Sequence, residues 1–219
     1  MNRFGFVRVT ACSPVVTVGN PTKNVEAINN MAEKFKQSDV IVFPELSITG
    51  YTCGDLFRQK QLLDSSEEAV KKILKANWSR TIIVGSPVPV GNELFNCAII
   101  INGEKILGIV PKQNIPNYNE FYESRWFRRA TGQETKVIEY ACQSVPFGID
   151  LLFKGDDGGG KVNFTLGVEI CEDLWMPIPP SSHLALGGAN ILVNLSASNE
   201  TVAKNEYRQQ LVANQSGRC

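Results

Sequence analysis

Three positions in this sequence share one context: a polar residue placed immediately after an apolar run of strand character. Glu45 follows Val-Ile-Val-Phe-Pro, Lys112 follows Ile-Leu-Gly-Ile-Val-Pro, and Cys171 follows Leu-Gly-Val-Glu-Ile. Side chains at strand ends are held rigidly and face the rim of a sheet, where α/β proteins build their binding sites. A cysteine, a carboxylate and an amine can act together as nucleophile, base and cationic stabiliser. Read alone, each has a plainer alternative: a solvated charge for Glu45 and Lys112, and a core thiol for Cys171.

Composition narrows the chemistry further. The chain has 219 residues, 22 Lys+Arg, 22 Asp+Glu and one histidine. A single imidazole cannot build a histidine-based zinc site, and a Ser-His or Cys-His pair could draw only on His183. His183 is therefore expected to be a surface or cap-adjacent bystander. A formal charge of zero and a pI near 6.6 give no long-range field for nucleic acid or an anionic membrane. The six cysteines (Cys12, Cys53, Cys97, Cys142, Cys171 and Cys219) are scattered, form no CxxC, and read as buried free thiols of a cytoplasmic protein. Neither a signal peptide nor a membrane-spanning run is expected.

The elements that must position the three residues can be read from pattern. Strands are expected at 6–12, 40–43 and 81–88. Asn20 should cap a helix that opens at Pro21 and carries Val25, Ile28, Met31 and Phe35 on one face. A second helix is expected over 66–76, after an irregular stretch at 46–60. Asn102-Gly103 predicts a hairpin turn. Residues 113–132 show no clean period, and long segments of that kind tend to be functional. Further strands are expected at 136–140, 148–153, 161–170 and 190–195, with helices at 181–186 and from about Val202 onward. The mixed order indicates an α/β layered sandwich.

Two motifs are decoys. Gly155 to Lys161 has the spacing of a phosphate loop, but Val162 stands where a hydroxyl is required and a strand follows instead of a helix. Arg125, Arg128 and Arg129, interleaved with Phe121, Tyr122, Trp126 and Phe127, imitate a nucleic-acid patch; a loop balanced by Glu120 and Glu123 is the better reading.

The contexts VFPELSITGY, PKQNIPNYNEFYE and GVEICEDLW resemble the Glu-Lys-Cys triad of the nitrilase superfamily. PNYNEFYESRWF, CEDLWMPIPPSS and NLSASNE are similar to the glutaminase domains of glutamine-dependent NAD⁺ synthetases. The resemblance runs from the first strand to Cys219. It implies a nitrilase-like four-layer α-β-β-α sandwich over residues 1–219, truncated at its C-terminal end, with an ATP-dependent synthetase domain outside this chain. It also implies that Cys171 attacks the side-chain amide of glutamine, that Glu45 is the general base, and that Lys112 steadies the oxyanion. Tyr51, Tyr118, Glu123, Glu172, Trp175 and Ser198 match substrate-binding positions, with Glu172 equally readable as a structural acid beside the nucleophile. The implied partners are L-glutamine, the synthetase domain and further copies of the chain. No cofactor is implied here, since ATP and Mg²⁺ belong to the synthetase domain. The alternatives within reach of the sequence are a stand-alone amidase on another small amide, or a non-catalytic assembly module.

Overall fold

A computed structural model describes residues 6–156 and 162–219. The first half of the molecule is a five-stranded sheet in the order β1-β2-β3-β4-β5. Its strands are β1 (Val9–Ala11), β2 (Val40–Val42), β3 (Trp78–Val90), β4 (Glu93–Gly103) and β5 (Lys105–Pro111). β1, β2 and β3 pair in parallel, and β3, β4 and β5 form antiparallel hairpins. Helices α1 (Pro21–Lys34) and α2 (Lys60–Lys75) are the crossovers between the parallel strands and cover one face. Asn20 does cap α1, accepting from Lys23 N at 3.0 Å, with Pro21 at the first helical position. Val25, Ile28 and Ala32 of α1 meet Ala69, Val70 and Ile73 of α2 over Ile41, Ile82 and Ile99 of the sheet.

The opposite face of this sheet packs on a second one, ordered β10-β9-β8. It comprises β8 (Phe153–Asp156), β9 (Val162–Ile170) and β10 (Ile191–Leu195). Val40, Ile83, Ala98, Ile100 and Val110 interdigitate with Phe153, Leu166, Val168 and Val193. Helix α3 (Pro180–Leu186) packs on β9 as the fourth layer, and α4 (Lys204–Arg218) lies near the turn that follows β9. The result is the α-β-β-α sandwich expected from the sequence. A small hairpin, β6 (Val137–Tyr140) and β7 (Gln143–Pro146), closes over the end of the first core.

Several sequence expectations need correction. The turn between β4 and β5 is Gly103-Glu104, one residue later than the Asn-Gly signal indicates, because the glycine takes the left-handed first position (φ +59°) and Asn102 pairs with Lys105. Residues 148–152 are not strand; β8 begins at Phe153. β7 was hidden because its turn, Ala141-Cys142, adopts positive φ without glycine or asparagine to announce it. Helix α2 starts at Lys60, well before residue 66, with Leu62 buried in a polar-looking first turn. Most of the phosphate-loop decoy, residues 157–161, lies outside the described residues. Two members of the arginine cluster are ion-paired, but with Asp55 on Arg125 (2.7 Å) and Glu93 on Arg128 (3.2 Å), not with Glu120 and Glu123.

Candidate active site

β2, β5 and β9 end at the same rim, and each delivers one of the three residues. Glu45 sits on a sharp turn after β2 in which Leu46 is left-handed (φ +50°) and fully buried. That turn is braced by β3: Gly85 N donates to Ser47 Oγ at 3.2 Å, and Ile48 N donates to Gly85 O at 3.0 Å. The approach is so close that a Cβ on Gly85 would lie 2.1 Å from Leu46 N and 2.7 Å from the Glu45 carbonyl carbon. Lys112, just past β5, is held through its backbone, donating to Asn96 O at 2.8 Å and accepting from Ala130 N at 3.1 Å. Cys171 opens a 3-10 turn with φ +46°, a conformation that non-glycine residues rarely hold without support. The support is Asp173. Its carboxylate accepts from Ile170 N (3.0 Å), Asn114 N (2.8 Å) and Asn114 Nδ2 (2.9 Å), tying the cysteine turn to the loop that follows Lys112.

The charged centre is fully buried. Lys112 Nζ donates to Glu45 Oε1 at 2.7 Å and to Glu123 Oε1 at 2.8 Å, and all three side chains are at most 3% exposed. Asn96 Nδ2 closes the ring, donating to Glu45 Oε1 (2.7 Å) and Glu123 Oε2 (3.4 Å). Tyr51 OH donates to Glu123 Oε1 at 2.7 Å, and Ala197 N donates to Glu45 Oε2 at 3.0 Å. Burial alone would push the lysine towards neutrality, but the two carboxylates outweigh it and hold its ammonium well above the usual range. Glu123 is pushed up by burial and then by Glu45, against the pull of Lys112.

Cys171 is buried beside this cluster. Burial, and then the negative charge of Glu45, push its thiol up to about 12, with Lys112 opposing. The resting sulfur is therefore a thiol at neutral pH, and it requires a base to become a nucleophile. Ser196 Oγ lies 3.4 Å from the sulfur, and Asn194 Nδ2 donates to the Cys171 carbonyl at 3.3 Å.

Cys171 opens into a cavity of about 380 Å³ whose walls include Tyr118, Phe121, Glu172, Trp175, Ser198 and Lys204. Tyr118 OH donates to both oxygens of Glu172 (3.0 and 2.9 Å), and that carboxylate, after burial, pushes the phenol up to about 12. Lys204 stacks its ammonium on Phe121 and Trp175, at 5.6 and 5.2 Å from the ring centroids. The cavity thus presents a carboxylate and an ammonium from separate elements within one small volume.

Of the nine residues singled out from the sequence, the structure brings Glu45, Lys112 and Cys171 together, and it places Tyr118, Glu172, Trp175 and Ser198 on the cavity wall. Tyr51 and Glu123 stand behind the triad, holding Lys112, and do not line that cavity. The carboxylate that braces the Cys171 turn is Asp173, not Glu172. Sequence reasoning missed Asn96, Asp173, Ser196 and Lys204. Asn96 did leave a signal: an amide inside the apolar run Leu94–Ile101, buried with its Oδ1 unpartnered. His183 faces a different cavity, shared with Gln113 and Asp150. Among the described residues, no cluster of His, Cys, Asp and Glu could hold a metal ion, and no helix is long and apolar enough to cross a membrane.

Residues 9–218 match the carbon-nitrogen hydrolase family, and the chain belongs to it. At the level of individual relatives, it is 39% identical to a glutamine-dependent NAD(+) synthetase of Mycobacterium tuberculosis over 98% of its own length, and it spans 32% of that protein. The crystal structure of a glutamine-dependent NAD(+) synthetase from Cytophaga hutchinsonii superposes with a TM-score of 0.82 at 27% identity, covering 95% of this chain and 33% of the other. An amidase from Nesterenkonia sp. shares the fold, with a TM-score of 0.71 at 16% identity over 95% of this chain and 71% of that one. The chain therefore spans about a third of the length of the curated relatives it matches.

Proposed function

We propose that residues 1–219 form the ammonia-producing domain of a glutamine-dependent NAD⁺ synthetase. In this reading it hydrolyses the side-chain amide of L-glutamine and supplies ammonia to an ATP- and Mg²⁺-dependent synthetase domain of the same polypeptide. The observation that carries the reading is the buried Glu45–Lys112 pair beside Cys171, which itself lines a cavity whose walls offer both a carboxylate and an ammonium. A zwitterionic amino acid complements that wall. Its α-ammonium suits Glu172, and its α-carboxylate suits Lys204.

The steps follow from the geometry. Glu45 takes the Cys171 proton as sulfur bonds to the amide carbon, and the electron pair of the carbonyl moves to oxygen, opposite the Lys112 ammonium. Such a fixed charge in a water-poor site can contribute several kcal/mol. As the tetrahedral adduct collapses, Glu45 returns the proton to nitrogen, ammonia leaves, and a γ-glutamyl thioester remains. Glu45 then removes a proton from water, the water oxygen bonds to the thioester carbon, the sulfur departs and is reprotonated, and glutamate is released. The three N–H donors on Glu45 (Lys112, Asn96 and Ala197) keep it fixed through both half-reactions.

A glutamine analogue bearing a diazoketone tests this. One equivalent should add covalently to Cys171, and Cys171→Ala should abolish the labelling. A folded sample that is labelled by general amide electrophiles but not by the glutamine analogue would replace glutamine with another small amide, and no labelling at all would overturn the catalytic reading.

A further inference from the structure

The sulfur of Cys171 has one side-chain hydroxyl within bonding distance, and neither the triad nor the substrate wall accounts for it. Ser196 follows β10 directly, and its Oγ lies 3.4 Å from Cys171 Sγ. The next backbone amide, Ala197 N, donates to Glu45 Oε2 at 3.0 Å. One short stretch after β10 therefore contacts both the nucleophile and its base. Its position is fixed from below, because Ile170 and Leu195 are direct partners in the parallel β9–β10 pair, so the residues that follow them run side by side.

We propose that Ser196 is a further catalytic residue, whose hydroxyl serves the sulfur of Cys171 in both of its charge states. A hydroxyl can accept or donate by rotation alone, with no movement of heavy atoms. In the resting state its O–H donates to the sulfur at 3.4 Å. When Glu45 removes the thiol proton, the same hydroxyl donates to the thiolate, where the bond becomes charge-assisted. The same donation recurs when the thioester is hydrolysed and sulfur leaves with the electron pair of the C–S bond. Lys112 Nζ makes its hydrogen bonds to Glu45 and Glu123, and among the described residues none runs from it to the sulfur.

Charged and titratable groups around the sulfur set the background against which the serine acts. Burial and then Glu45 oppose ionisation of Cys171 and Lys112 favours it, while burial first, and then Glu123 and Glu172 respectively, hold the phenols of Tyr51 and Tyr118 up. Glu172 is the neighbouring side chain on the same turn. None of these donates a hydrogen bond to the sulfur. Removing Ser196 therefore removes the hydroxyl donor while leaving the charges in place.

The inference rests on Cys171 being the nucleophile, and its test reads thiol chemistry without glutamine, so it can fail while the glutaminase reading stands. Alkylation of the full chain by iodoacetamide is followed residue by residue with mass spectrometry across pH. Because the thiolate is the reacting form, Ser196→Ala should lower the Cys171 rate about ten-fold at neutral pH and displace its pH profile upwards. Ser196→Thr, which keeps the hydroxyl, should restore both. The exposed thiols Cys142 and Cys219 serve as internal controls and should react at unchanged rates. Unchanged Cys171 rate and profile in Ser196→Ala would overturn the proposal, as would a Ser196→Thr variant that is folded by circular dichroism yet as slow as the alanine variant.

Discussion

Glu45 has one carboxylate and three N–H donors, and no other described side chain in direct contact with that cluster is free to take the thiol proton. Tyr51 and Lys112 are proton-loaded groups held well above their usual range, and Glu123 is engaged by Lys112, Tyr51 and Asn96. Replacing Glu45 with glutamine keeps the volume and an acceptor for Lys112 but removes the proposed base. Steady-state release of ammonia by Glu45→Gln should fall by at least about 100-fold, in line with the usual contribution of general base catalysis. Circular dichroism should show the fold retained, because Glu123 still pairs with the lysine. A variant with full activity would mean that some other group takes the proton. That Glu45, Lys112 and Cys171 each follow an apolar strand was legible in the sequence, while only the resemblance to the nitrilase superfamily joined them into one set. Asn96, Ser196 and Asp173 were not, because their importance lies in what they touch, and contacts across 51, 25 and 59 positions leave no local pattern.

At the scale of elements, the site depends on how closely strands approach turns. β3 passes under the Glu45 turn without room for a methyl group, so Gly85 is required there by space and not by backbone angle. In Gly85→Ala the contact with Leu46 N at 2.1 Å must be relieved by moving the turn or the strand, and the turn carries Glu45, the proposed base. The expected outcome is a loss of about 1–3 kcal/mol in stability together with a fall in kcat larger than any change in KM. Chemical denaturation and kinetics on the same preparation would check this, and a variant that loses stability at unchanged kcat would show that the turn can shift without moving Glu45. The same scale separates what pattern could and could not convey. α1 was readable from its cap, proline and spacing, and β2 and β9 from their apolar runs. β7 and the first turn of α2 were obscured, one by an Ala-Cys turn in left-handed geometry and the other by polar residues on an exposed helix face. The layered architecture followed from element order; the rim at which three strand ends converge became visible only with the register.

For the molecule as a whole, the buried carboxylates set a pH dependence of stability. Burial pushes Asp173 up to about 6, against its hydrogen bonds, and also raises Glu169; Glu123 rises through burial and the charge of Glu45. A folded-state value above the unfolded one means that the folded protein holds its proton more tightly. The corresponding stability is fully present below the unfolded value of 3.8 for Asp173 and is lost as pH rises through about 6. For Asp173 this difference amounts to about 3 kcal/mol. Carboxylates held low by exposed partners, such as Glu68 with Lys71, complete their titration at lower pH and do not oppose the trend in this window. Tm should therefore fall between pH 5 and pH 7.5, and Asp173→Asn should flatten the slope. Scanning calorimetry at several pH values would measure it, and a Tm that climbs across that range would contradict the assignment.

The bond from Ala197 N to Glu45 Oε2 joins residues 152 positions apart. A ribosome that has just added Ser196 has already made Glu45, Lys112 and Cys171, yet the base still lacks one of its three donors and the sulfur's hydroxyl has only just been synthesised. All the reactive side chains are present, but the supports that β10 and its following loop provide are the last to emerge. The nascent chain therefore carries an unsupported Glu45–Lys112–Cys171 cluster until nearly all of the described sandwich exists, and the site is a property of the assembled layers and not of its three residues alone.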